Sequence, residues 1–203
     1  LNTDKSGMTS AKSSLRRELL AARALLTKED AVRAAAVLAD SALRLPELAD
    51  ARTVAAYVSV GREPGTRALL EALRGRGVRV LLPVLLADND LDWAVYEGPD
   101  HLVPAGRGLL EPDGAPLGPA AVLDADTVLL PGLAVDGAGM RLGRGGGSYD
   151  RVLARLAAAG AHPSLVVLLY DDEVVVRVPS EPHDHPVDAV VTPAGARRFV
   201  SPP

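Results

Sequence analysis

The stretch DTVLLPGLAVDGAGMRLGRGGGSYDRVLARL, Asp126 to Leu156, decides the fold. It opens on an apolar segment that reads as a buried strand, passes through glycines at 143, 145, 146 and 147 bracketed by Arg141 and Arg144, and closes on a helix. Glycine lets the backbone take positive φ and approach a ligand closely, and a helix N-terminus presents unpaired N–H groups with a partial positive charge. Strand, glycine loop and helix in that order therefore suit an anion, phosphate above all. Arg141 and Arg144 add fixed charge and bidentate donors, and Asp150, just past the loop, is placed to hold Mg²⁺ against phosphates. Taken by itself, GRGGG also reads as a flexible turn with solvated arginines. The loop lacks the Lys-Ser/Thr ending of a P-loop and the G-x-G-x-x-G context of a dinucleotide fold.

Outward from this stretch, strand and helix patterns alternate. Leu15, Leu19, Ala22 and Leu26 recur at helical spacing from Ala11. Thr27, with Asp30 three residues on, opens a second helix that Pro46 is expected to stop. TVAAYVSV (53–60) has the look of a buried parallel strand, followed by a helix over 64–76, a strand VRVLLPV (78–84) and an edge hairpin arm LDWAVYE (91–97). The Gly- and Pro-rich segment 98–119 reads as a surface loop. SLVVLLY (164–170) and VDAVVT (187–192) supply further strands. The fold class is α/β, a mainly parallel sheet flanked by helices on both faces.

The 203 residues suffice for one domain that buries roughly 70% of its unfolded surface. Hydrophobic residues at 48% and charged residues at 24% are globular values, and no apolar run approaches the ~20 residues that span a bilayer. The polar start lacks a secretory signal, so a cytoplasmic location and no membrane partner are expected. Met8 reads as a natural start; residues 1–10 are set apart as a disordered or added extension, with 11–203 as a single domain. The absence of cysteine excludes disulfides, thiolate catalysis and Cys-ligated metal. A net charge of −4 argues against nucleic acid as a partner. A monomer is expected.

Other candidates lie apart in sequence. Lys12 and Arg16 are four residues apart on one helix face, where both can reach a polyphosphate or simply stay solvated. Glu63 follows a strand end, where open α/β sheets collect ligands, and capping the next helix is its alternative role. HDHPVD (183–188) offers two histidines and two carboxylates, a weak zinc pattern without a third distant ligand. Trp93, the only tryptophan, is a core residue or an aromatic ligand wall.

KSSLR (12–16), YVSVGREPGT (57–66), LLPV (81–84), GLLEP (108–112) and above all PGLAVDGAGMRLGRGGGSYDRVL (131–153) together resemble the 5-formyltetrahydrofolate cyclo-ligase family, also called methenyltetrahydrofolate synthetases. The resemblance covers about Lys12 to Val191. It implies an ATP- and Mg²⁺-dependent conversion of 5-formyltetrahydrofolate to 5,10-methenyltetrahydrofolate, with ADP and phosphate released. By motif, Lys12, Arg16, Arg141, Leu142, Gly143, Arg144, Gly145, Gly146, Gly147, Ser148 and Tyr149 would hold ATP, with Arg144 nearest the transferring phosphoryl as the catalytic residue. Val58, Glu63 and the loop Arg144, Gly145, Gly146, Gly147, Ser148 would contact the folate, and Trp93 is a suggested pocket wall. Asp150 and Asp184 would be Mg²⁺ ligands. This sequence departs from the family at Ser148, where a second tyrosine is common, and at EPGT (63–66), where EVDT is. The competing readings are a folate- or nucleotide-binding protein without turnover and a phosphosugar isomerase-like enzyme, which would need no ATP.

Overall fold

The computed structural model describes residues 2–182 and 184–199. In chain order its main elements are α1 (Asn2–Ala24), α2 (Lys28–Leu43), α3 (Pro46–Ala49), β1 (Thr53–Ala55), α4 (Arg67–Gly75), β2 (Arg79–Leu85), β3 (Leu91–Val95), β4 (Leu102–Pro104), β5 (Leu110–Pro112), β6 (Thr127–Leu130), β7 (Ala134–Val135), β8 (Arg141–Leu142), α5 (Ser148–Ala158), β9 (Ser164–Leu168), β10 (Ala189–Thr192) and β11 (Gly195–Arg198). Among the described residues no helix is long and apolar enough to cross a membrane.

A seven-stranded sheet orders these strands β11-β10-β9-β6-β1-β2-β3. The five inner strands are parallel, and β3 and β11 are antiparallel additions at the two edges. The α/β expectation holds, with helices on both faces. Alternation along the strands divides the core: Val54, Val80, Leu82, Leu129 and Val166 pack with Leu38 and Ala42 of α2 and Leu69, Leu70 and Leu73 of α4. Ala55, Leu81, Val128, Leu130 and Val167 point the other way, onto Val152, Leu153 and Leu156 of α5. Leu69, Leu70 and Leu73 are wholly buried, so trimming any one to alanine costs about 2–5 kcal/mol. The outer side of β3 is covered by the following chain, where Leu117 donates to the Trp93 carbonyl (2.8 Å) and Gly118 to the Asp92 carboxylate (2.7 Å).

Several boundaries differ from expectation for local reasons. Helix α1 runs through residues 2–10, which were set apart as a disordered or added extension. Thr27 does cap α2, accepting from the Asp30 amide at 3.1 Å, but the helix ends at Leu43, and Pro46 begins α3 at a first-turn position where its missing N–H is no loss. The strand expected over 53–60 stops at Ala55. Beyond it, Thr66 takes over the backbone: its hydroxyl donates to the Tyr57 carbonyl (2.8 Å) and accepts from the Ser59 amide (2.9 Å), while its own amide donates to Ser59 Oγ (3.1 Å). The expected loop 98–119 carries the hairpin β4–β5. Trp93 is wholly buried on β3 among the α5-side core and is not among the residues lining the cavity where β1, β2 and β6 end, which corrects its suggested role as a pocket wall.

Candidate active site

A cavity of about 430 Å³ opens where β1, β2 and β6 end, crossing the strand order from the loop after β6 to the hairpin β4–β5. Arg141 and residues 143–150 line one side, Val58, Val60 and Glu63 another, and Pro83, Leu85, Arg107, Leu109, Leu110 and Glu111 the far side. All the residues assigned to folate thus line one cavity, as do Arg141, Gly143, Arg144, Gly145, Gly146, Gly147, Ser148 and Tyr149 of the ATP set.

The glycine loop has the geometry that only glycine takes easily. Gly145 and Gly147 have φ of 92° and 78°, and a Cβ at Gly145 would also lie 3.3 Å from the Arg16 guanidinium. Gly147 is the N-cap of α5, so no side chain caps the first turn, and the positive end of the helix dipole lies at the loop. Arg141 is buried beneath: Nη1 donates to the Pro131 carbonyl (2.8 Å), Nη2 lies 3.5 Å from Asp150 Oδ1, and Nε has no partner. Burial holds this guanidinium below its usual value. The Tyr149 hydroxyl is likewise buried without a partner, and burial, then Glu63, raises its pKa. Two orphaned donors in the wall of a cavity fit an oxygen-rich ligand.

Helix α1 lies over this loop. Arg16 Nε donates to the Gly143 carbonyl at 2.8 Å. Lys12 Nζ sits 2.9 Å from both Glu181 and Asp184; burial opposes its charge, but the hydrogen bonds and attraction of Asp184 and Glu181 more than offset this and raise its pKa. Arg144 Nη1 is 3.4 Å from Glu63 Oε1, and Glu63 Oε2 accepts from the Val60 amide at 2.8 Å, so this carboxylate closes its own loop rather than capping α4. The far end of α1 is fixed by Arg23, which grips Glu173 with Nε and Nη2 (2.6 and 2.9 Å) and donates from Nη2 to the Gly132 carbonyl (2.6 Å).

Some assigned residues are placed elsewhere. The Leu142 side chain packs with Leu19, Leu133, Ala134 and Val178, so only its backbone is at the loop. Asp184 lies outside the cavity lining and is bound to Lys12 and the Glu181 amide (2.8 Å). No three His or carboxylate groups among the described residues gather to hold an ion. His183 of HDHPVD falls outside the described residues. Asp150, two-thirds exposed at the cavity edge, does fit Mg²⁺, because that ion is commonly held by one or two carboxylates together with substrate phosphates. Sequence reasoning missed Tyr57, Arg107 and Glu111. GLLEP was the signal for Glu111, whose Oε1 accepts from the Leu85 amide at 2.9 Å.

Fold and cavity define an α/β protein that gathers a glycine loop and basic residues at the carboxyl ends of parallel strands, an arrangement suited to an anionic ligand. Residues 8–193 match the model of the 5-formyltetrahydrofolate cyclo-ligase family. A 5-formyltetrahydrofolate cyclo-ligase of Mycolicibacterium smegmatis is 46% identical over 149 residues (70% of this chain, 74% of that protein), and one of Escherichia coli K12 is 34% identical over 176 residues (85% and 94%). The solved 5,10-methenyltetrahydrofolate synthetase of Aquifex aeolicus superposes with a TM-score of 0.79 at 29% identity, covering 95% of this chain and 94% of its own. The chain belongs to the 5-formyltetrahydrofolate cyclo-ligase family.

Proposed function

We propose that this enzyme couples cleavage of ATP to ADP and phosphate, the phosphate taking up the formyl oxygen, to closure of 5-formyltetrahydrofolate into 5,10-methenyltetrahydrofolate. The observation that carries the reading is that one cavity combines an uncapped helix start, Arg141, Arg144 and Glu63 with the apolar Pro83, Leu85, Leu109 and Leu110. A formamide oxygen is a poor leaving group. Its attack on the γ-phosphorus of ATP forms an O–P bond as ADP leaves; N10 then bonds to the formyl carbon, the C–O bond breaks to release phosphate, and N10 loses its proton. Such transfers depend on positioning and charge stabilisation more than on a protein nucleophile.

In this reading the amides of the glycine loop and the α5 first turn bind phosphate oxygens, helped by Lys12 and Arg16 from α1. Arg144 leaves Glu63 to neutralise the transferring phosphoryl. Glu63, held by the Val60 amide, accepts from the N–H groups of the pterin. Asp150 would hold Mg²⁺, which supplies charge neutralisation to the phosphates when bound. With Mg²⁺, ATP and 5-formyltetrahydrofolate, ADP should form together with the absorbance of the methenyl product; tight folate binding without either product would overturn the reading.

A further inference from the structure

Three arginines line the cavity, and they differ in their partners. Arg141 faces Asp150 and Arg144 faces Glu63, whereas Arg107 has no carboxylate partner among the described residues. Its hydrogen bond runs from Nη1 to Asn89 Oδ1 at 3.1 Å. Among the described residues these two are also the non-glycine residues with positive φ, 60° at Arg107 and 67° at Asn89. Such backbone is disfavoured for side chains larger than glycine and persists where the surroundings impose it. Asn89 stands in the β2–β3 turn, so Arg107 occupies the end of the cavity farthest along the strand order from the glycine loop and Glu63. Between the two ends the lining is apolar, with Pro83, Leu85, Leu109 and Leu110. Glu111, on the same hairpin, is tied to the Leu85 amide.

A ligand matching this order carries donors and a phosphoryl acceptor at one end, an aromatic middle and an anion at the other. Resting on the folate reading above, we infer that Arg107, held by Asn89, binds a carboxylate of the folate's glutamate, and so selects glutamate-bearing folates over the bare pteroate. A guanidinium with one donor engaged retains the fork that carboxylate recognition uses.

The test is equilibrium binding of two ligands to the full chain: 5-formyltetrahydrofolate, and 5-formyltetrahydropteroate, which lacks the glutamate. The wild type should prefer the first by roughly tenfold or more, the scale of one charge-assisted hydrogen bond near a surface. Arg107→Ala should bind both alike, Arg107→Lys should keep part of the preference, and Asn89→Gly, which tolerates the positive φ, should reduce it. A preference that survives Arg107→Ala, or a wild type that binds both ligands equally, overturns the inference while leaving the folate reading intact. A wild type that binds neither ligand overturns both.

Discussion

The last turn of α1 and its middle reach across the chain in the same way and for different ends. Arg23 meets Glu173 with both side chains sealed, 4% and 3% exposed, and lies 5.8 Å from the Tyr170 ring centre. Lys12 meets Glu181 and Asp184 at 13%, 28% and 20% exposure, within reach of water. Losing one member of a sealed pair strands a charge in the interior, whereas a pair near water is worth little and exchanges partners readily. The helix is therefore fixed at its C-terminal end, while its middle turns carry Lys12 and Arg16 over the glycine loop.

Substitutions can break this contrast or sharpen it. Arg23→Ala should have the largest effect, lowering unfolding free energy in denaturant by about 3–5 kcal/mol because Glu173 is left buried and unpaired; a loss under 1 kcal/mol would dissolve the distinction. Arg144, half-exposed and with an exchangeable partner, should show the opposite profile: Arg144→Ala lowers turnover by roughly 10²-fold with little change in stability. Lys12→Ala should raise the KM for ATP by roughly tenfold while changing stability by no more than about 1 kcal/mol. The smallest effect belongs to the intermediate pair Arg155–Asp90, joined at 3.1 and 2.5 Å. The Arg155 hydrogen bonds hold Asp90 below the usual carboxylate range. Its contribution is thus fully present above about pH 4 and is lost as pH falls through the lower folded value. Asp90→Asn should flatten that acid limb of the urea midpoint.

Where a signal is local, the sequence carried it. Thr27 and Asp30 marked the α2 cap, runs such as TVLL marked the inner strands, and the glycines marked a loop whose φ values other residues resist. Lys12 and Arg16 could be placed on one helix face by spacing alone. Pairings across the chain were not legible. Nothing near Lys12 announces carboxylates at 181 and 184, and nothing in the Gly- and Pro-rich segment 98–119 singles out Arg107, whose place is set by Asn89 and a cavity wall assembled from distant segments. Short strands such as β7 and β8, two residues each, have no periodicity to read. Ser148 remains the departure whose effect on folate contact only substitution by tyrosine would measure.

The sheet's borders have a consequence beyond catalysis. An open β-sheet ends in backbone donors and acceptors on which a strand of another molecule can grow. Here one border is occupied by the chain itself, through Leu117 and Gly118 on β3, and the other displays the exposed arginines 197 and 198 of β11, with Arg198 drawn to Glu47 at 2.7 Å. A second copy approaching that edge would bring arginine against arginine. Fibrillar growth through the sheet is opposed at both borders, by occupancy on one side and by charge on the other.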